Sequence, residues 1–92
     1  MIAPMSADAV LRALAEPHRR AILQLVRDQA QSVNEIADHF DITQQAVSQH
    51  LHVLAEAGLM DVRREGKRRL YAVNPEALEV LDAFLRDLWP GG

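Results

Sequence analysis

Asp41-Ile42-Thr43-Gln44-Gln45-Ala46-Val47-Ser48-Gln49-His50-Leu51-His52-Val53-Leu54-Ala55-Glu56-Ala57-Gly58 reads as a helix with two unlike sides. At roughly 100° per residue, Val47, His50, Leu51 and Leu54 fall on one side, while Gln45, Ser48, Gln49 and His52 gather in a narrow arc opposite. The first side needs a core to cover it. The second is polar but nearly uncharged until Glu56, whereas an ordinary solvated helix face carries Lys and Glu pairs. Short hydrogen-bonding side chains of this kind are what reading base edges requires. Thr43 can cap the start of the helix, and Gly58 can end it in the left-handed conformation.

Upstream, the spacing predicts three shorter helices, over about 6–15, 17–28 and 33–40, before the long one at 43–57. Ser6 is an N-cap with Asp8 in the first turn, and Val10, Leu11 and Leu14 form an apolar stripe. Glu16-Pro17 ends that helix, and Pro17 suits the first turn of the next, whose Ile22, Leu23 and Val26 point inward. Arg19 and Arg20 sit near its start, where cations are disfavoured unless an anion, a carboxylate or a phosphate, partners them. Ser32-Val33-Asn34-Glu35 has capping-box spacing, with Val33, Ile36, Ala37 and Phe40 as the buried stripe behind it. Short helix, turn with Ile42 as an apolar plug, longer helix: this is helix-turn-helix spacing.

Beyond Gly58 the period changes from about 3.6 to 2. Met60 and Val62 alternate with Asp61 and Arg63, Glu65-Gly66-Lys67 supplies a turn, and Arg69, Tyr71 and Val73 alternate with Arg68, Leu70 and Ala72. A basic-tipped hairpin, or wing, therefore spans 59–73, with Tyr71 expected in the core. Asn74-Pro75 opens a last helix over 75–89 whose apolar residues, Leu78, Leu81, Phe84, Leu85, Leu88 and Trp89, cover more surface than one small core needs. The fold class expected is mainly α with a small β-hairpin: a winged helix-turn-helix of five helices and a two-stranded wing.

Composition agrees with that class. Ninety-two residues, nearly half of them hydrophobic, make one globular domain near the lower size limit for a single core, so burial against a second copy is a natural supplement. The absence of cysteine excludes a disulfide framework, a thiolate metal site and a Cys nucleophile. No apolar run approaches the roughly 20 residues of a membrane span. The leading residues lack a basic region before an apolar one, and a cytoplasmic protein is expected. The net charge of −3 conceals a division, because residues 43–74 hold five basic and three acidic groups while the remainder holds five basic and ten acidic. Phosphate is felt only within about a Debye length, ~8 Å at physiological salt, so the local sign governs.

The chain also resembles a known family. Leu14-Ala15-Glu16-Pro17-His18-Arg19-Arg20-Ala21-Ile22-Leu23, Val47 to Met60 and Arg64-Glu65-Gly66-Lys67-Arg68-Arg69-Leu70-Tyr71 are similar, in order and spacing, to segments of the ArsR/SmtB bacterial repressors. The resemblance implies a homodimer joined by the first and last helices, and repression relieved by a signal. On it, Val10, Leu11, Leu14, Leu78, Leu81, Phe84, Leu85, Leu88 and Trp89 form the dimer interface, with Phe84, Leu88 and Trp89 as an effector pocket in the rival reading. The resemblance also implies metal sites in many members, and here the chain departs. The cysteine position near the third helix falls at Ser32-Val33-Asn34, and the last helix offers Glu76, Glu79, Asp82 and Asp87 but no histidine. Carboxylates alone hold transition metals poorly, so neither a metal nor a cofactor is expected.

The candidate DNA contacts are Thr43, Gln44, Gln45, Ser48, Gln49 and His52 on the recognition helix, and Arg63, Arg64, Lys67, Arg68 and Arg69 on the wing. Gln can pair bidentately with adenine, Ser can serve base or phosphate, and Thr43 can offer its hydroxyl and backbone N–H to phosphate. A polar surface and a solvated hairpin tip are the plain alternatives. His50 belongs to the buried side as a hydrogen-bonded structural residue, and His18 and His39 show no ligand spacing. A dimeric repressor binding double-stranded DNA is the function expected, with no membrane partner and an effector left unidentified. Its rivals are a metal- or redox-gated sensor with unrecognised ligands, and a winged helix used to bind protein. No residue spacing identifies a catalytic group, so an enzyme is not expected.

Overall fold

A computed structural model describes residues 6–89 and Gly91. Residues 1–5, on which the expectation of no secretory leader rests, and Pro90 and Gly92 of the C-terminal end lie outside the described residues. The elements are α1 (Ala7–Leu14), α2 (Pro17–Val26), α3 (Val33–Ala37), α4 (Gln44–Glu56), β1 (Met60–Glu65), β2 (Arg68–Val73) and α5 (Pro75–Leu88). This is the winged helix-turn-helix, five helices and a two-stranded antiparallel wing.

Local chemistry starts each helix. The Ser6 hydroxyl accepts from the Ala9 N–H at 3.1 Å, and the Glu16 carboxylate accepts from the Arg19 N–H at 3.0 Å with Pro17 following it. Ser32 and Glu35 form the full capping box, each side chain accepting the other's backbone N–H. Thr43 caps α4 through Ala46 at 3.0 Å. Asn74 caps α5 and also donates to the Gly58 carbonyl at 3.0 Å, tying the start of the last helix to the end of α4.

Two helices end earlier than their apolar period does. Beyond Ala37 the bonds tighten to the i−3 spacing, with the His39 N–H on the Ile36 carbonyl and the Phe40 N–H on Ala37, so Phe40 still packs on the core from a turn. The Arg27 N–H likewise reaches Gln24, and α2 stops at Val26. At the end of α4 the Gly58 N–H bonds the Ala55 carbonyl and the Leu59 N–H bonds Leu54, the paired bonds of a Schellman motif. Gly58 has φ +83°, which costs an L-residue roughly 1–2 kcal/mol. Gly58→Ala should therefore lower urea-unfolding stability by about that much, with the slope unchanged. A variant as stable as the parent would show that the chain can end α4 another way.

The core is one cluster: Val10 and Ala13 of α1, Ile22 and Val26 of α2, Ile36 of α3, Val47, Leu51 and Leu54 of α4, then Leu59, Met60 and Ala77. Ala77 is the single fully buried residue of α5, and Leu81 is half-buried against the same cluster. The wing pairs Met60 with Val73 through Glu65 with Arg68, leaving Gly66-Lys67 as a two-residue turn. Gly66 has φ +64° and Lys67 is not positive, the type II′ pattern that matches strand twist. Alternation in the wing is imperfect: Val62, paired with Tyr71, is 46 % exposed, and Leu70, on the other face, is buried. Tyr71 is half-buried against the core, as expected. A third strand position, absent from the sequence reading, joins the wing: Gln31 and Tyr71 exchange backbone bonds of 3.1 and 2.8 Å.

Candidate nucleic-acid interface

Three buried anchors, Val47, Leu51 and Leu54, fix the rotation of α4. With those inward, Gln45, Ser48, Gln49 and His52 are all exposed on the outer side. Among the described residues, Gln45 and Gln49 make no side-chain hydrogen bond, so their amides are free to read a partner. Gln44, next to them in sequence, is engaged: its amide donates to the Asn34 side chain and clasps α3 to α4. His52 lies further along the face, 3.3 Å from Glu56, and shares a groove with Ser48, Val62, Arg69 and Tyr71. The helix thus turns Gln45 and Gln49 outward, while Gln44, Ser48 and His52 border the wing.

Arg63, Arg64, Lys67, Arg68 and Arg69 are all exposed. They are not equivalent. Arg68 bonds Glu35 at 2.7 Å, pinning the wing to the start of α3. The Glu35 carboxyl is held below the usual range, first by the Ser32 backbone N–H, then by the Ser32 hydroxyl, with Arg68 adding a smaller attraction. Among the described residues Arg63, Arg64, Lys67 and Arg69 have no ion-pair partner. Arg64 and Arg69 are cross-strand neighbours in the register, two like charges whose repulsion a bound anion relieves. Lys67, Arg68 and Arg69 rim an open polar recess with Ser32, Asn34 and Gln44, beside the N-termini of α3 and α4.

Arg19 and Arg20 take neither of the anions expected for them. Arg19 donates to the Ala13 carbonyl at 2.7 Å and the Arg12 carbonyl at 3.3 Å, and Arg20 donates to the Leu14 carbonyl at 2.7 Å. Both guanidinium groups satisfy the last carbonyls of α1, the negative end of that helix. His50 lies inward and half-buried, as read from the period, but among the described residues it makes no hydrogen bond, the Glu16 carboxylate being 3.8 Å away. His18 departs from the expectation of an ordinary surface or cap residue: it bonds Glu16 at 3.0 Å and stacks on His50. The Glu16 carboxyl is lowered mainly by that His18 bond.

The apolar residues expected at a dimer interface separate into two sets. Val10 is corrected: it is fully buried in the chain's own core, because the α1 stripe faces inward there, and it has no surface to offer a partner. Leu14, Leu81 and Phe84 are half-buried, the first two against that same core. Leu11 lies at the margin, while Leu78 (55 %), Leu85 (51 %) and Leu88 (63 %) on α5 and its C-cap Trp89 (75 %) stand open. Large apolar groups left out together in this way call for a cover.

Neither metal position known from the family resemblance fits these residues. Ser32 is occupied as a helix cap and Asn34 accepts from Gln44, and neither is a thiolate. On α5, Asp82 pairs with Arg86 at 2.8 Å, and Glu76, Glu79 and Asp87 are exposed carboxylates without a histidine.

Residues 14–63 match a family described as a helix-turn-helix domain. The chain is 38 % identical over 84 residues to the HTH-type transcriptional regulator Rv2034 of Mycobacterium tuberculosis, covering 91 % of this chain and 78 % of that one. It is 40 % identical over 80 residues to the HTH-type transcriptional repressor SmtB of the same species, covering 85 % of this chain and 59 % of the repressor. Among solved structures it superposes, with a TM-score of 0.73 and 28 % identity over 88 % of this chain and 75 % of the other, on the homodimeric winged helix-turn-helix DNA-binding domain Mb0332 of Mycobacterium bovis, a possible ArsR-family regulator.

Proposed function

The chain belongs to the ArsR/SmtB family of winged helix-turn-helix regulators and is a DNA-binding transcriptional regulator, and we propose that it acts as a homodimeric repressor at an inverted-repeat operator. The whole chain serves as one domain in the cytoplasm. Among the described residues no helix is long and apolar enough to cross a membrane. In this reading α4 enters the major groove, the wing follows the adjacent backbone, and α1 with α5 joins the two copies. Twofold symmetry then sets half-site centres about 34 Å, or a multiple of it, apart.

The observation that carries the reading is the pairing of two surfaces. Three core anchors turn the amides of Gln45 and Gln49 outward, and beside them stands a hairpin with four cations that, like those amides, have no side-chain partner among the described residues. Amides specify a base edge, whereas cations neutralise phosphate without regard to sequence. Gln45, Ser48 and Gln49 are the base-reading set. Thr43, at the start of α4, and Arg63, Arg64, Lys67 and Arg69 contact phosphate. Arg68 acts first as a brace through Glu35, and Gln44 as the clasp on α3; His52 serves the margin near the wing.

The two roles separate experimentally. Gln49→Ala should cost about 1–3 kcal/mol on the selected operator and leave binding to random duplexes unchanged. Equal losses on both would remove Gln49 from base reading. Lys67→Ala should weaken every duplex alike and reduce the slope of log affinity against log salt by about 1. An unchanged slope would take Lys67 off the phosphates.

A further inference from the structure

Three metal-ligating side chains that DNA contact does not use meet where the α1–α2 corner packs on α4. Glu16 is the N-cap of α2, His18 lies in the first turn of the same helix, and His50 projects from the inner side of the recognition helix. The His18 Nδ1 is 3.0 Å from Glu16 Oε1, and the His50 Nδ1 is 3.8 Å from Glu16 Oε2. The two imidazoles stack with centroids 5.5 Å apart and planes 14° from parallel. All three ligand atoms lie within 4.8 Å of one another, and all three residues are half-buried.

The geometry points to a divalent transition-metal site formed by Glu16, His18 and His50. Zinc binds imidazole nitrogen and carboxylate oxygen at about 2.0–2.2 Å in a tetrahedral arrangement, which puts ligand atoms roughly 3.4 Å apart. The two short separations run to different oxygens of Glu16, Oε1 and Oε2, and the imidazoles are stacked, so binding one ion turns the Glu16 carboxylate and swings one ring out of the stack. Two nitrogens and one oxygen suit zinc or cobalt rather than a hard ion, and the fourth position remains for water. The competing positive groups are turned away: Arg19 and Arg20 point their guanidinium groups to the carbonyls ending α1. The positive end of α2 opposes the ion, and the Glu16 charge offsets it.

This position is distinct from Ser32-Val33-Asn34 and from the last helix, the places where the family resemblance puts metals. An ion here fastens the middle of α4 to the first turn of α2. It therefore acts on the element that presents Gln45 and Gln49, from the side opposite DNA.

Binding is measured on the untagged full chain without DNA, so the outcome is independent of the operator. Metal-free protein is titrated with cobalt(II), followed by its visible absorption, and with zinc(II) in competition. One ion per chain is expected, with affinity reduced at least tenfold in His18→Gln and in His50→Gln and unchanged in His52→Gln. His52 is the control because it also pairs with a glutamate, Glu56, but on the exposed face. Zinc should also raise the melting temperature of the parent and not that of His18→Gln. If His50→Gln fails to fold, His18→Gln decides alone, since its side chain is 43 % exposed. Absence of stoichiometric binding, undiminished affinity in His18→Gln, or loss in His52→Gln overturns the site.

Discussion

Leu85→Glu combined with Leu88→Glu should convert the protein to a monomer and lower its affinity for a two-half-site operator by on the order of 100-fold or more. Both leucines stand more than half exposed, on a helix that gives the core only Ala77 in full and Leu81 in part. Each leucine has only about half of its surface left to bury, so covering it with a second copy contributes about 1–2 kcal/mol, and Trp89 and Leu78 extend the same surface. Glutamate there removes that contribution and sets four like charges against one another across the twofold axis. The core of each copy is untouched, so the monomer should keep its helical spectrum. The operator loss follows from linkage: without a partner, the second half-site is no longer bound at the high effective concentration that the first imposes. Sedimentation velocity reads the mass, and titration on operators with one and two half-sites reads the coupling. A double variant that stays dimeric, with undiminished operator affinity, would place the dimer contact on another face.

The same residues show how far a linear reading reaches. Period and caps are local properties, and they located α4 well: Thr43, Gly58, the inward Val47, Leu51 and Leu54, and the outward Gln45 and Gln49 all lie where the spacing put them. What failed was what one element does to another. Arg19 and Arg20 looked poorly placed at the start of a helix because their own helix dipole is the only one visible from the sequence around them. The carbonyls of α1 that bind them are reached through a sharp corner. The Gln31–Tyr71 bridge consists of a single residue pair, too short for a period to announce. The α1 stripe placed Val10 on an apolar side without telling which apolar neighbour, core or partner, would cover it; the core does. His50 was placed inward by angle alone, and its meeting with Glu16 and His18 arises from helix packing.

Arg64→Gln together with Arg69→Gln should have the largest effect of any wing change, lowering affinity for all duplexes by on the order of 100-fold and the salt slope by about 2. Hydrogen bonds to charged groups contribute about 1.5–3 kcal/mol each, and every 1.4 kcal/mol is a factor of ten, so two lost contacts reach that range. The pair is chosen for its register. Arg64 and Arg69 face each other across the two strands, and no carboxylate among the described residues pairs with either. In the free protein they repel, at a cost of roughly 0.2–1 kcal/mol for a directly opposed like pair. Phosphate relieves that cost on binding, which makes the two cations a better anion site together than apart. The double variant should consequently be as stable as the parent or slightly more so, while binding DNA far more weakly. Arg68→Gln supplies the contrast, because removing it breaks the 2.7 Å brace to Glu35 and loosens the wing as well as lowering charge. A double Arg64/Arg69 variant that loses stability in step with affinity would mean that these arginines hold the hairpin together rather than hold DNA.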